Sequence, residues 1–413
     1  MLLAPYRVLD LTGPLGFLTG RIFGDLGADV IKIEPPGGDP SRRQPPFLNN
    51  GNDSRQSLYW LAHNANKRGI TLDLDQVKGR ELFCCLARRA DFVIESFGPG
   101  VLRKLRLGYD ILREENSRLI LVSISPFGQE GPYKDLQGSD LEIMALSGAM
   151  SLAGERDGEP MRVSVPQAPM WVGAEAAMGA LTALAYRTIT GRGQHVDVSA
   201  QVAVMSALAH APAFWDLNRE NPERAGVFVT GRSVSGAKMR VMWRCKDGWI
   251  NFIIYGGAAG RHTNQQLVAW MDGKGLAPEW LKHIDWNAFA VTHIEQSEVD
   301  RLEAPIVDFF AAVTKNEFLE GAIKRQMLGY PVATVADISH NAQLEARNFW
   351  EDVADPESGK TLKYPGGFAV INGQRLSIAR GAPKVGEHNA EVYAGELGLS
   401  KNELVELQAA GVI

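Results

Sequence analysis

The chain has 413 residues, too many for one ordinary hydrophobic core, so we expect two or three domains. Its 43 basic and 48 acidic residues are well mixed and leave a net charge of -5. This balance gives no electrostatic reason to expect a nucleic acid or a membrane as the main partner. The three cysteines, Cys84, Cys85 and Cys245, form neither a disulfide framework nor a zinc spacing, and the histidines show no paired metal spacing.

The N-terminal stretch MLLAPYRVLD predicts a cytoplasmic protein. Arg7 and Asp10 interrupt the stretch where a signal peptide needs an apolar core, and no apolar run reaches the length of a membrane span. The cysteine usage agrees with a reducing compartment.

Short apolar runs alternate with helical stretches along the first third of the chain. The runs are VLDL at 8, ADVIKIE at 28, GITLDL at 69, DFVIE at 91 and LILVSIS at 119. This alternation predicts an α/β fold with a parallel, doubly wound sheet. Gly13, Gly16 and Gly20 follow the first run but miss the GxGxxG spacing, so they fit a ligand loop and tight helix packing equally well.

The composition changes between about 205 and 335, where six tryptophans and longer loops occur. After Pro331 the first pattern resumes and ends in the amphipathic stretch KNELVELQAAGVI. We therefore predict a large domain over residues 1–205, a smaller domain over 206–335 with its linkers, and a segment over 336–413 that returns to the large domain.

Several ordered stretches together match a known family. They are VLDLTGP, LGADVIKIEPPGGDP, NKRGITLDL, IESFGPGVLRKLRLGYD, SISPFGQEGPY, TGRGQHVDVS, CKDGWI and GEHNAEVYAGELGLSKNELVELQAAGVI. With them the chain resembles the family III CoA-transferases, also called the carnitine-CoA transferase and bile-acid-inducible family, nearly from end to end. The resemblance implies a Rossmann-like large domain, a small second domain, and two chains threaded through each other as interlocked rings.

The resemblance also implies that coenzyme A is bound as a substrate and that no cofactor is held tightly. The residues that it assigns to CoA binding are Leu72, Ser96, Phe97, Gly98, Lys104 and Gln137. The stretch SFGPGVLRK has the chemistry that phosphates and an adenine need: glycines that allow close backbone approach, a helix start, an aromatic face and a cation. Ser96 and Lys104 replace the asparagine and arginine common in the family, and lysine lacks the planar fork of arginine. Taken alone, the stretch also fits a helix start with turning glycines and a solvated lysine.

The family's chemistry depends on one aspartate, which attacks the acyl-CoA thioester and carries CoA as an aspartyl thioester. Aligned by its neighbours, that position holds Pro169, and the flanking Gln167 and Met170 cannot replace a carboxylate. Asp140, at the start of an apolar helix, fits three roles: a nucleophile, a supporting acid near the ligand, or a helix cap. The racemases of this fold carry a histidine where Ser139 stands and an acid at position 169, so racemase chemistry is the poorest fit.

Three functional hypotheses remain. In the first, the chain is a subunit of a heterodimeric or heterotetrameric CoA-transferase whose homologous partner carries the nucleophile, as in the benzylsuccinate CoA-transferases that take CoA from succinyl-CoA to an aryl dicarboxylate. In the second, it is a CoA-binding scaffold or regulatory protein. In the third, it is a homodimeric transferase that uses Asp140.

Overall fold

The computed structural model describes residues 2–48, 57–231, 234–254, 256–355 and 359–413. They form two compact units. The first comprises Met1–Met150, Arg162–Glu220 and Gln343–Ile413, and the second comprises Ser151–Met161 and Asn221–Ala342.

The units differ in three places from the division expected at 205 and 335. Residues 206–220 belong to the first unit, whereas residues 336–342 and 151–161 belong to the second. Arg224 explains the latter, because its guanidinium donates to the backbone carbonyls of Glu155 at 3.1 Å and Gly158 at 2.7 Å. Such long-range contacts leave no local signal in the sequence.

The first unit is built on a six-stranded parallel sheet, which confirms the predicted Rossmann-like α/β class. The strands are β1 (Arg7–Leu11), β2 (Asp29–Glu34), β3 (Lys67–Thr71), β4 (Phe92–Glu95), β5 (Ile120–Ser125) and β6 (His195–Ser199). They lie in the order β3-β2-β1-β4-β5-β6. The first five coincide with the predicted runs, and most of their residues are buried, as is typical of a sheet covered on both faces.

Helices cover both faces of this sheet. Those that precede residue 220 are α1 (Phe17–Asp25), α2 (Leu58–Asn64), α3 (Val77–Ala87), α4 (Val101–Lys104), α5 (Tyr109–Glu115), α6 (Asp140–Leu146), α7 (Ala168–Thr190), α8 (Ala200–Ser206) and α9 (His210–Asn218). Helices α1 and α7 pack on the face that carries Val8 and Val30, whereas α3 and α5 pack on the face that carries Leu9 and Ile31. None of the helices in the described residues combines the length and apolar character needed to cross a bilayer.

The second unit has its own aromatic core. Its strands are β7 (Phe228–Gly231), β8 (Val234–Arg240), β9 (Met242–Cys245), β10 (Gly248–Asn251) and β11 (Tyr330–Pro331), and its helices are α10 (Gly257–Gly273), α11 (Glu279–Lys282), α12 (Gln296–Ala311), α13 (Lys315–Arg325) and α14 (Val335–Ser339). Trp243, Trp270 and Phe310 are buried together, and Trp243 donates its indole N–H to the carbonyl of Phe252 at 2.6 Å. Because its core is separate, this unit has its own source of stability.

The C-terminal segment closes the exposed edge of the main sheet. It contains α15 (Ala342–Ala346), the paired strands β12 (Trp350–Asp355) and β13 (Lys360–Pro365), the short pair β14 (Val370–Ile371) and β15 (Gln374–Arg375), and α16 (Lys401–Ala409). His388 donates its backbone N–H to Gly69 at 2.8 Å, and Thr71 donates to the side chain of Asn389 at 2.9 Å. These bonds occupy the free side of edge strand β3, which would otherwise be open to pairing with another chain.

One charged cluster lies entirely inside the first unit. Asp10, Lys32 and Lys67 are all buried, and Nζ of Lys67 lies 2.8 Å from Oδ2 of Asp10. Lys32 lies 3.5 Å from the other carboxylate oxygen. Burial lowers the pKa of Lys67 to about 8, while the nearby Asp10 charge opposes that change. The carboxylate of Asp10 therefore stabilises both buried ammonium groups of the cluster.

We predict that Asp10→Asn lowers the free energy of unfolding by about 3–5 kcal/mol, because it leaves buried cations without their acid. Urea denaturation measures the change. Glu81→Gln is the matched control, since Glu81 pairs with Lys78 on the exposed surface and its loss should cost at most about 1 kcal/mol. Equal, small effects of both substitutions would contradict the prediction.

Candidate functional site

The strand order reverses between β1 and β4, so the loops after these strands meet at the carboxyl edge of the sheet. Gly13, in the loop after β1, donates its N–H to Oγ of Ser96, in the loop after β4, at 2.7 Å. Open α/β sheets bind ligands in the crevice that such a reversal creates. The loop after β4 contains the predicted residues Ser96, Phe97 and Gly98, so they border this crevice.

The loop after β4 is anchored to the end of its own strand. Phe97 donates its N–H to Oε2 of Glu95 at 2.7 Å, and its half-buried ring packs against the apolar cluster beneath. Gly98 is exposed, and Gly100 has a left-handed φ of 77° immediately before α4. Helix α4 has only four residues, so its dipole offers less to an anion than a full helix would.

The remaining predicted CoA contacts are spread more widely. Lys104 is exposed at the end of α4, and Gln137 is exposed in the loop before α6. Leu72 is buried directly after β3 and packs in the same apolar cluster as Phe97. The structure therefore gathers Ser96, Phe97, Gly98 and Lys104 in one segment, whereas Leu72 and Gln137 belong to separate loops.

Asp140 meets the start of the helix that contains Pro169. Its Oδ1 accepts the backbone N–H groups of Gln167 at 2.7 Å and Ala168 at 2.8 Å. The first turn of a helix leaves such donors without a partner, so this carboxylate caps α7. Pro169 is the buried second residue of α7, where a missing N–H costs nothing. Of the roles open to Asp140 in the sequence, capping is the one that these contacts support.

Aromatic side chains near Asp140 escaped the sequence analysis. Tyr59, on α2, has its ring centroid 4.7 Å from that of His63 and 6.4 Å from that of Phe17. Burial raises the pKa of Tyr59 to about 12, and the negative charges of Asp39 and Asp140 add to the effect. Burial lowers the pKa of His63 to about 4, so its imidazole is neutral at pH 7. The only sequence signal was the aromatic content of SLYWLAH, which also fits a buried helix face.

A buried acid, Glu95 at the end of β4, gave no signal in the sequence. Its neighbour across the sheet is Ser123, whose Oγ lies 2.9 Å from Nε2 of His195. Burial raises the pKa of Glu95 to about 7, hydrogen bonds from Ser123 and the backbone of Phe97 oppose the rise, and the charge of Asp197 adds to it. The carboxyl group under the loop therefore titrates near neutral pH.

A large cavity of the first unit lies away from the predicted CoA-binding residues. A cavity of about 790 Å³ lies outside β3 and is bordered by Trp60, Leu362, Tyr364 and Lys384 among others, but it contains none of the predicted residues. Within the described residues, no group of three or more His, Cys, Asp and Glu side chains could hold a metal ion. The crevice between β1 and β4 thus remains the site that the loop geometry favours.

Two substitutions of Asp140 test whether its side chain only caps α7 or has a further role that needs the negative charge. Asp140→Ala should lower the free energy of unfolding by about 1–2 kcal/mol, whereas Asp140→Asn, which keeps an acceptor oxygen, should change it by at most about 0.5 kcal/mol. Thermal unfolding of the two variants measures the difference. Equal destabilisation by both substitutions would show that the carboxylate does more than cap the helix.

Comparison with known proteins agrees with this geometry. A family model described as CoA-transferase family III matches residues 3–389. The BbsE subunit of succinyl-CoA:(R)-benzylsuccinate CoA-transferase from Thauera aromatica is 35% identical over 99% of this chain and 97% of its own. The beta subunit of succinyl-CoA–L-malate CoA-transferase from Chloroflexus aurantiacus is 29% identical over 100% of this chain and 98% of its own.

A relative whose name designates no subunit, and a solved crystal structure, are also similar to this chain along nearly its whole length. Formyl-CoA:oxalate CoA-transferase from Streptomyces avermitilis is 32% identical over 98% of each chain. The crystal structure of a CAIB/BAIF family protein from Brucella suis is 29% identical, superposes with a TM-score of 0.79, and covers 94% of this chain and 98% of its own. The crevice, the loop after β4 and these end-to-end matches lead to one conclusion: the chain belongs to the family III CoA-transferases.

Proposed function

We propose that this chain is one subunit of a CoA-transferase that moves CoA from an acyl-CoA donor such as succinyl-CoA to a carboxylic acid, and that a homologous partner chain supplies the catalytic aspartate. The acceptor that we propose is benzylsuccinate or a similar aryl dicarboxylate. The two homologous chains would form the interlocked dimer that the family resemblance implies.

The observation that carries the proposal is Pro169. A proline at the second position of α7 offers no nucleophilic atom. Oδ1 of the nearby Asp140 already accepts hydrogen bonds from two backbone N–H groups. Transfer by the family's route requires a free carboxylate to attack the thioester carbon and expel the CoA thiolate. The loops after β1 and β4 keep the crevice, whereas position 169 has no nucleophile, so the nucleophile has to come from a partner.

Two relatives support the subunit assignment by their names. One is the BbsE subunit of an enzyme that uses succinyl-CoA and benzylsuccinate, and the other is the beta subunit of an enzyme that uses succinyl-CoA and L-malate. Both are similar to this chain along nearly its whole length. Succinyl-CoA occurs in both names, which favours it as the donor, and the dicarboxylate acceptors favour an acid of that class.

The surface of α7 supports a partner on physical grounds. One face of the helix is buried in the first unit, but Trp171, Met178, Tyr186 and Ile189 are exposed along another. An apolar stripe of this kind is typical of a surface that another chain covers. Because α7 also contains Pro169, a partner that covers the stripe would lie beside the incomplete site.

The proposed reaction proceeds by covalent exchange on the partner's aspartate. Its carboxylate attacks the acyl-CoA carbonyl, giving an acyl anhydride and a CoA thiolate, and the thiolate then attacks the aspartyl carbonyl to form an aspartyl-CoA thioester and release the donor acid. The acceptor carboxylate reverses these steps and leaves as its CoA ester. Each step breaks one acyl bond and forms another, so no redox reagent is consumed.

A CoA-binding scaffold without transferase activity is the second candidate. It shares the loop after β4, including Phe97 and Lys104, and differs only in lacking a catalytic partner. A homodimer that uses Asp140 is the third candidate, and the capping bonds argue against it. Binding and assembly experiments separate the three.

If the loop after β4 binds CoA, Lys104→Ala should weaken binding by about 1–3 kcal/mol, because a hydrogen bond between charged groups is lost. Phe97→Ala should also weaken it by removing the aromatic face. Calorimetric titration with CoA measures both effects. Lys78→Ala, on the exposed surface of α3, is the control and should leave the affinity unchanged. Unchanged affinity in both loop variants would remove this loop from the CoA site.

If a partner supplies the nucleophile, the isolated chain should have negligible transferase activity, since loss of the nucleophile in a protease costs around a millionfold. Purification from the native host should recover a homologous chain with an aspartate aligned with Pro169. Co-expression should restore activity without Pro169→Asp, and replacing the partner's aspartate by asparagine should abolish it.

Two results would overturn this assignment. One is a fully active homodimer with no second polypeptide detected by mass spectrometry. The other is trapping of an acylated Asp140 with hydroxylamine or borohydride in the isolated chain, which would establish the homodimeric mechanism instead.

A further inference from the structure

The buried acids of this protein differ in how their charge is balanced. Asp10, Asp25, Glu34 and Glu303 each have a basic side chain within 4 Å. Glu95 is only 4% exposed, yet across the described ranges no basic side chain comes within that distance of its carboxylate. Burial of an unpaired carboxylate is costly, and protonation removes the cost.

Glu95 lies directly under the loop after β4. Its Oε2 accepts the N–H of Phe97 at 2.7 Å, and Ser123 on the neighbouring strand forms a hydrogen bond with its side chain. This carboxyl group therefore connects the sheet to the loop that includes Gly98. A change in its charge acts on the loop through one short hydrogen bond.

The titratable and charged groups around Glu95 come from three elements. Strand β6 contributes His195, which contacts Ser123, and Asp197, whose charge acts on Glu95. Helix α5 contributes Tyr109, whose ring stacks on His195 at 5.8 Å. Helix α4 contributes Arg103. Burial lowers the pKa of His195, and the positive charge of Arg103 lowers it further. The charge that reaches Glu95 most directly is negative, so the surroundings also favour its neutral form.

We propose that Glu95 is a positioning residue whose carboxyl group becomes protonated from solvent when the phosphates of CoA bind at the loop after β4. This inference rests on the proposed function, because it needs CoA at that loop. An ionised Glu95 beneath the loop repels a polyanion, whereas a protonated Glu95 does not. The bound ligand therefore raises the proton affinity of the carboxyl group, and by reciprocity protonation tightens ligand binding.

The sign of the pH dependence follows from this linkage. Because burial raises the pKa of Glu95 to about 7, the free protein carries a partly ionised carboxyl group at neutral pH. CoA binding at pH 7 should take up as much as about half a proton at this group, and the CoA affinity should fall by up to about fivefold between pH 7 and pH 8. Glu95→Gln mimics the protonated state, so this component of the pH dependence should disappear.

The test is calorimetric titration of CoA into the assembled protein in HEPES and in Tris, whose ionisation enthalpies differ. The heat difference between the buffers gives the number of protons bound, for the native protein and for Glu95→Gln. Titration of the CoA phosphates is common to both proteins and cancels in the comparison. Glu81→Gln, an exposed acid on α3, is the matched control and should retain the native proton count.

A second variant keeps the test valid if Glu95→Gln folds poorly. Asp197→Asn keeps the acceptor oxygen used by the N–H of Gln129 but removes the negative charge, so it should lower the pKa of Glu95. The carboxyl group of the free variant is then more ionised at pH 7, and CoA binding should take up more protons than in the native protein. CoA binding with the same proton count in the native protein and both variants would overturn this inference alone. Absence of CoA binding, or binding unaffected by Lys104→Ala, would overturn the proposed site and this inference with it.

Discussion

Burial of the parallel sheet on both faces is the constraint from which the other features follow. Any charged side chain within such a sheet has no access to water and must be paired or neutralised inside the protein. Asp10 is paired with Lys67 and Lys32, and Glu34 with Arg42. Glu95 has no basic partner among the described residues, so protonation is the means by which its charge is neutralised, and it lies where the strand order reverses. This unpaired acid therefore coincides with the place where such a fold binds ligands.

Much of the fold was predictable because its signals are local. The runs VLDL, ADVIKIE and DFVIE became β1, β2 and β4, since continuous apolar stretches bounded by turn residues are what a doubly covered sheet requires. The proposed absence of the nucleophile rests on an equally local signal, a proline in a segment recognisable by its neighbours, and it stays a prediction. The interlocked pairing of two chains stays a prediction, since it depends on a second chain.

Other parts of the site could not be predicted because they depend on contacts between distant segments. The bonds from Gln167 and Ala168 to Asp140 join the start of α7 to the start of α6, and the path from Glu95 through Ser123 to His195 crosses three strands. From the sequence alone, Asp140 is interpreted as a helix cap, Glu95 as the end of a strand and His195 as a surface residue. Leu72 is the opposite case, since a leucine in the strand ITLDL is expected in the core whatever its family role, and its side chain is buried there.

The proposed loss of the family nucleophile at Pro169 is compatible with an intact helix start at α7. The start of α7 needs acceptors for its free N–H groups, and Asp140 supplies one from outside the helix. Proline at the next position preserves the helix start because it removes a donor that has no partner there.

If Asp140 instead attacked a thioester, Oδ1 would have to leave both N–H groups, or the attack would fall to Oδ2 while the carboxylate stayed fixed by Oδ1. The first route uncaps the helix that borders the site, and the second gives a nucleophile with little freedom to approach the carbonyl. Both are worse than a free carboxylate on a second chain, which supports the proposed catalytic role of a partner.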